Sequence, residues 1–126
     1  MGFWLFVTAM DLLVPAIMLY FGWRFQKKPP EKINHIYGYR TSRSMKNQET
    51  WRFAHETCGR LWVRLGTILL LLSLAAAAMI FRRGDETAGI VCFVVVMLQV
   101  VVVIGSIVPV ERALKRNFDD QGRKRN

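Results

Sequence analysis

The stretch Leu61–Phe81, LWVRLGTILLLLSLAAAAMIF, decides the fold. It is apolar all round, with one charge, Arg64, a turn inside its start. A hydrocarbon core roughly 30 Å thick takes about 20 helical residues at about 1.5 Å each, so the stretch is long enough to cross. On either side lie two blocks of similar length and composition, Gly2–Trp23 and Ala88–Val110. In a soluble protein all three would have to be buried on every face, and the polar remainder of a 126-residue chain is too short to wrap them. The expected class is therefore an all-α membrane protein. It has one domain (1–126), spans at about 2–23, 61–81 and 88–110, a loop 24–60 and a tail 111–126. The first block reads as a retained helix and not a cleaved signal. It lacks a basic n-region, its apolar stretch is too long, and no small-x-small site precedes Trp23-Arg24.

Charge orients the spans. Nine Lys/Arg stand against three acids from Arg24 to Arg60, and six against three from Glu111 to Asn126. The turn Arg82–Thr87 balances two against two. Three crossings put the loop and the tail on one side, and the basic excess predicts that this side is cytoplasmic, with the N-terminus outside. The expected location is the cell membrane. The net charge of +9 does not point to nucleic acid. Basic juxtamembrane residues set topology and sit against anionic lipid headgroups, which are the expected partner. Cys58 and Cys92 fall at different depths, and a disulfide is not expected in a cytoplasmic setting.

Along the chain, span one carries aromatic residues at both ends: Phe3, Trp4 and Phe6, then Tyr20, Phe21 and Trp23. Asp11 lies near its middle. Pro15, four residues on, cannot donate to the carbonyl of residue 11, so the backbone is loosened beside an intramembrane acid. Asp11 reads either as a functional site or as a hydrogen-bonded residue that holds helices together. Gln99, at mid-depth in span three, reads as polar glue toward Asp11 or toward a second subunit. Pro29-Pro30 forbids helix continuation after span one. A helix restarts at Asn47, a favoured N-cap, with Glu49 in its first turn. Trp51, Ala54, Cys58, Trp62 and Leu65 recur at helical spacing with His55 on their face. This is an amphipathic helix before span two, either interfacial or continuous with it. Arg64 is expected to snorkel, Ala75–Ala78 permits close helix approach, and Pro109 with Glu111 ends span three. The tail is expected to make a further helical turn or two and then a charged, disordered end.

Standard enzyme patterns are absent: no phosphate loop, no dinucleotide fingerprint, no nucleophile elbow. The chain is therefore expected not to be an enzyme and to carry no cofactor. His55 and Cys58, three apart, supply too few ligands for a metal even with His35 added, so no metal is expected. The remaining polar cluster runs from Asn34 to Asn47. Arg40 and Arg43, with Thr41, Ser42 and Ser44, suit a phosphate or carboxylate through charge-assisted bonds. The same residues also read as a solvated basic loop that anchors to headgroups.

Asn34, then Tyr37-Gly38-Tyr39-Arg40-Thr41, Ser44-Met45-Lys46-Asn47, Thr50-Trp51, Ala54 and Gly59, resemble the signature of the SdpI family. Glu111-Arg112-Ala113-Leu114, Phe118-Asp119 and Gly122 resemble that family's C-terminal end. His55 departs from the pattern, where an amide such as Asn is expected. The resemblance implies a multi-spanning bacterial membrane protein. The founding member is longer, protects its producer from a secreted toxic peptide, and captures an autorepressor at the membrane. The expected function is toxin immunity, resistance or signalling, with an antimicrobial peptide toxin, a soluble repressor and further copies of the chain as partners. In this reading Arg40 binds an anionic group, Asn34 and Tyr39 orient the loop, and Trp51 pins it to the interface. Gly38, Thr41, Ser44, Asn47, His55 and Gly59 complete the motif. Two other classes stay open. One is a small homo-oligomeric transporter or channel subunit using Asp11 and Gln99. The other is an enzyme acting on lipid headgroups, for which no nucleophile–base pair is evident.

Overall fold

A computed structural model describes residues 2–34 and 38–125. His35 and Tyr37 of the predicted cluster lie outside the described residues. Four helices follow in order: α1 (Gly2–Lys27), α2 (Gln48–Ile80), α3 (Asp85–Gly105) and α4 (Ile107–Asn117). Three helical segments, Gly2–Lys27, Gln48–Ile80 and Asp85–Asn117, are long and apolar enough to cross a membrane. The chain is an all-α membrane protein.

The helices outrun the predicted spans. At about 1.5 Å per residue α2 is about 50 Å long, against a hydrocarbon core of roughly 30 Å. The amphipathic segment before span two is not a separate interfacial helix; it is the first third of α2, in one continuous rod. Its start is fixed by a complete capping box. The Asn47 side chain accepts from the Thr50 N–H (2.9 Å), and the Thr50 hydroxyl accepts from the Asn47 N–H (3.1 Å). Its Trp51, Ala54, His55 and Cys58 are buried against protein, not lipid.

α3 ends earlier than Pro109 alone suggested. Proline at 109 has no N–H for the carbonyl of Gly105, so the ladder breaks one turn upstream and α4 begins at Ile107. α4 is amphipathic and buries Val110 and Leu114. The tail corrects the expectation of disorder. Phe118 is buried and meets Phe53 edge-on at 5.3 Å. The chain then turns through Asp119–Gly122, and Phe118 pairs with Lys124 in an antiparallel bridge. Asn47 donates to the Gly122 carbonyl (2.7 Å) and Arg43 pairs with Asp120 (3.2 Å), which tie this turn to the loop.

α1 packs most extensively on α2. The seam is made of small residues facing one another: a Cβ on Gly59 would stand 2.7 Å from the Gly22 carbonyl oxygen, and one on Gly22 2.9 Å from that of Gly59. Two apolar clusters close the ends. At the loop end Phe25, Ala54 and Cys58 pack with Val110, Leu114 and Phe118. At the other end Val7, Ile80 and Ala88 pack with Trp4. There Trp4 turns inward and donates to the Ala77 carbonyl (2.9 Å), while Phe3, Phe6 and Phe81 stay exposed.

Candidate functional site

Two polar groupings stand apart in depth. The first is the loop-end cap, where most of the predicted motif residues meet. His55 is fully buried on α2. Its Nδ1 lies 2.8 Å from the Trp51 carbonyl, and its Nε2 accepts the backbone N–H of Tyr39 at 2.9 Å. A carbonyl can only accept, so the network assigns the proton to Nδ1 and a neutral ring. Burial also pushes the His55 pKa down, which favours that neutral form. The ring is clamped between Trp51 (4.4 Å between centroids) and Phe25 (4.8 Å, edge-on).

Gly38 is required beside it. Its φ is +108°, and a Cβ there would lie 2.6 Å from His55 Nε2. The glycine lets the loop descend onto the imidazole, where a side chain would occupy the acceptor. Tyr39 then reaches across to α4: its hydroxyl donates to Glu111 Oε1 at 2.7 Å. Burial and the neighbouring carboxylate raise its pKa well above the usual phenol range, so it remains a donor. The turn that follows is closed by Ser44, which is fully buried. Its hydroxyl donates to the Tyr39 carbonyl (2.8 Å) and accepts the Thr41 N–H (2.8 Å), while the Thr41 hydroxyl accepts the Ser44 N–H (3.2 Å). Thr50 Oγ1 donates to the Ser44 carbonyl (3.0 Å), which joins the turn to the capping box.

Trp51 does not pin the loop to the membrane interface. It is fully buried and its indole N–H donates to the Pro30 carbonyl (2.7 Å), so it holds the descending chain after α1. Asn34 lies half-buried in that descending chain and donates to the Lys32 carbonyl (3.1 Å). Gly59 belongs to the α1–α2 seam and not to the loop. Arg40 differs from its neighbours: it is exposed, at the rim of a cavity of about 240 Å³ that Tyr39, Thr41, Phe25, Trp62 and Ser106 also line. Cys58, on the floor of that cavity, is an inert thiol, since burial raises its pKa to about 12.

The second grouping lies at mid-depth between α1, α2 and α3. Gln99 is fully buried and donates to the backbone carbonyl of Asp11 (2.6 Å) and to Ser73 Oγ (3.0 Å). The carbonyl it takes is the one Pro15 leaves without an intrahelical donor. Asp11 is also buried, and its Oδ1 and Gln99 Oε1 have no hydrogen-bond partner. Thus Gln99 does reach Asp11 within one chain, through the backbone of that residue.

Sequence reading missed three participants. Ser73 carried no signal inside an apolar run. Glu111 reads from sequence as the end of a span and as part of the family's C-terminal pattern, and neither reading names it as the acceptor for Tyr39. Gly22 was hidden among the aromatics of the first span, although a glycine inside a helix that costs about 1 kcal/mol of propensity hints at a close approach.

Among known proteins, the family model described as the SdpI/YfhL protein family matches residues 31–110. The uncharacterized protein YfhL of Bacillus subtilis (strain 168) is 32% identical over 66 residues, which are 52% of this chain and 60% of that protein. The match therefore spans less than two thirds of the relative's length. No solved structure matches the chain.

Proposed function

Because the chain belongs to the SdpI/YfhL family, we propose that it is a non-enzymatic protein of toxin immunity or resistance in the bacterial cell membrane, with the loop-end cap as its recognition site. One observation carries this reading: Gly38, Tyr39, Ser44, Asn47, Trp51 and His55 hold a single loop shape that sets the exposed Arg40 at the rim of the cavity. A catalytic site needs a nucleophile and base held toward a substrate. Here the Ser44 and Thr50 hydroxyls and the imidazole are buried, and the exposed Arg40 carries a guanidinium suited to grip a carboxylate or phosphate.

In this proposal the loop and tail are cytoplasmic, the ligand is a membrane-active peptide toxin, and a soluble repressor and further copies of the chain are partners. Outward-facing apolar residues along α3, among them Phe93, Val94 and Val101, favour lipid or a second copy there. The transporter alternative has less support, because Asp11 and Gln99 are both buried among α1, α2 and α3 of one chain.

The test is survival of a sensitive bacterium expressing this chain under peptide challenge, with membrane levels measured in the same cells. Arg40→Ala and Arg40→Lys are expected to abolish protection, since lysine keeps the charge and loses the planar fork. Lys28→Ala is expected to keep it. Equal survival of Arg40→Ala and Lys28→Ala would reduce the motif to a basic loop.

A further inference from the structure

The turn that follows α4 is a small unit held together from within. Asp119 organises it: its Oδ1 accepts the N–H groups of Gln121 and Arg123 (2.9 Å each), and its Oδ2 pairs with Arg123 (3.2 Å). Arg125 ties the returning chain to α4, its Nε donating to the Lys115 and Phe118 carbonyls (2.9 and 3.0 Å). Asp120 is the acid of the turn not used inside it, and it reaches across to Arg43 of the loop (3.2 Å). That pair is open to solvent, with the Asp120 side chain 80% exposed and that of Arg43 31%. Ion pairs so exposed are weak and exchange readily. Past Phe118, Gly122 is the only buried residue of the turn up to Arg125. It has a φ of +82°, and its carbonyl accepts from Asn47 Nδ2 (2.7 Å). A Cβ there would stand 2.7 Å from that nitrogen and 2.8 Å from Lys46 Cβ, so the turn seats on the loop only with glycine at this position.

We propose that Arg43 is an oxyanion-binding residue of the loop, guarded by the tail turn, with Asp120 seated where a carboxylate or phosphate of the ligand would bind. The turn is then an internal competitor. With Asp120 in place the pair is neutral; with the turn swung away, Arg43 offers one guanidinium to an incoming anion, and Asp119 stays paired with Arg123 inside the turn. The swing is cheap because it breaks an exposed ion pair and the Asn47–Gly122 bond, while Phe118 remains anchored in the apolar cluster and Arg125 keeps the unit folded. Arg43 belongs to the short turn that Ser44 closes against Thr41, so its release changes the charge of the loop without unmaking its shape. The ligand is one dissolved in water and not a lipid headgroup. Asn47 stands fourteen residues before the apolar run that opens at Leu61, a rise of about 21 Å along α2, against a headgroup layer of roughly 5–8 Å. The inference rests on the reading of this loop as a recognition site and adds a guarded residue to it. Its test reads anion binding and not survival, so the two fail separately.

The test is a titration of the full chain in maltoside micelles with inorganic phosphate, exchanged against chloride at constant ionic strength and followed by phosphorus NMR line broadening. The wild-type chain is expected to bind phosphate saturably, and Arg43→Gln to lose that binding. Asp120→Asn removes the competitor and should tighten binding by about threefold, the scale of an exposed ion pair. Gly122→Ala lifts the turn by its Cβ and leaves Arg43 and Asp120 unchanged, and it should tighten binding to a similar extent. Lys124→Gln, which removes a neighbouring cation, should leave binding as it is. Thermal unfolding of each variant shows that the fold is kept. Equal binding by Arg43→Gln and the wild-type chain, or equal loss in Arg43→Gln and Lys124→Gln, overturns the site. Binding that is tighter in Asp120→Asn and unchanged in Gly122→Ala overturns the guard, since removing a charge would then suffice without any movement of the turn. Phosphatidylglycerol added to the micelles should not compete; displacement of phosphate by that lipid overturns the assignment to a dissolved ligand.

Discussion

His55 shows how one side chain can decide a loop. Both ring nitrogens are committed, Nδ1 toward its own helix and Nε2 to Tyr39 of the loop. The arrangement tolerates only the neutral ring, because an added proton on Nε2 would face the Tyr39 N–H. Burial lowers the folded-state pKa below the ordinary 6.5, so the unfolded chain binds the proton more readily. Stability from this group is therefore fully present above about pH 6.5 and is lost as pH falls from there toward the folded pKa. Thermal unfolding of the purified protein is expected to show a flat midpoint above about pH 7 and a decline below about pH 6.5. His55→Gln, whose amide oxygen can take over the Tyr39 N–H, should remove that step while costing about 1 kcal/mol for the lost Nδ1 bond. A decline that persists unchanged in His55→Gln would assign the pH dependence to another group. A histidine at this position is therefore expected to make the loop acid-sensitive.

At the scale of the helices, the mid-depth knot explains why a proline and a glutamine 84 positions apart belong together. Pro15 strips the Asp11 carbonyl of its donor, and Gln99 supplies one from α3 while also reaching Ser73 on α2. Polar bonds between helices in a bilayer average about 0.6 kcal/mol, and an orphaned carbonyl in hydrocarbon adds to that. Gln99→Leu is expected to destabilise the chain by about 1–2 kcal/mol in detergent unfolding. Pro15→Ala restores an N–H for the Asp11 carbonyl, so in the double variant the effect of Gln99→Leu should shrink. Strict additivity in that cycle would mean that the two residues do not share the carbonyl. The α1–α2 seam obeys a different constraint: Gly22 and Gly59 meet backbone to backbone, so helix separation is set by the absence of side chains and not by their fit.

For the molecule as a whole, α2 is longer than a hydrocarbon core requires, and the loop-end parts of the helices build the cap. α2 from Gln48, the end of α1, α4 and the tail turn converge there, and the loop is laid over them. Charge predicts the orientation: a reporter fused after the last residue is expected to be active only in the cytoplasm, and one inserted at Gly84 only outside. The reverse pattern would overturn the orientation, and with it a cytoplasmic recognition site. Insertion at Gly84 should be tolerated, since open space surrounds that residue.

The three long apolar helices, the capping of α2 at Asn47 and the family motif were all present in the sequence. Each depends on residues close together in the chain: a run of apolar length, a local N-cap, a short ordered pattern. The end of α3 was nearly legible too, and was misplaced because proline breaks a helix at the carbonyl four residues before itself. What the sequence left open was the identity of every long-range partner. Gln99 was matched to Asp11 only as one of two possibilities, across 88 residues, and the bond goes to the backbone and not the carboxylate. Tyr39 finds Glu111 across 72 residues, and Asn47 finds Gly122 across 75. Trp51 and His55 were assigned to the membrane interface because an amphipathic face beside a span reads the same whether lipid or protein covers it. Only the folding of α4 and the tail over that face decided which. Composition fixes that an apolar surface must be covered; the path of the rest of the chain determines what covers it.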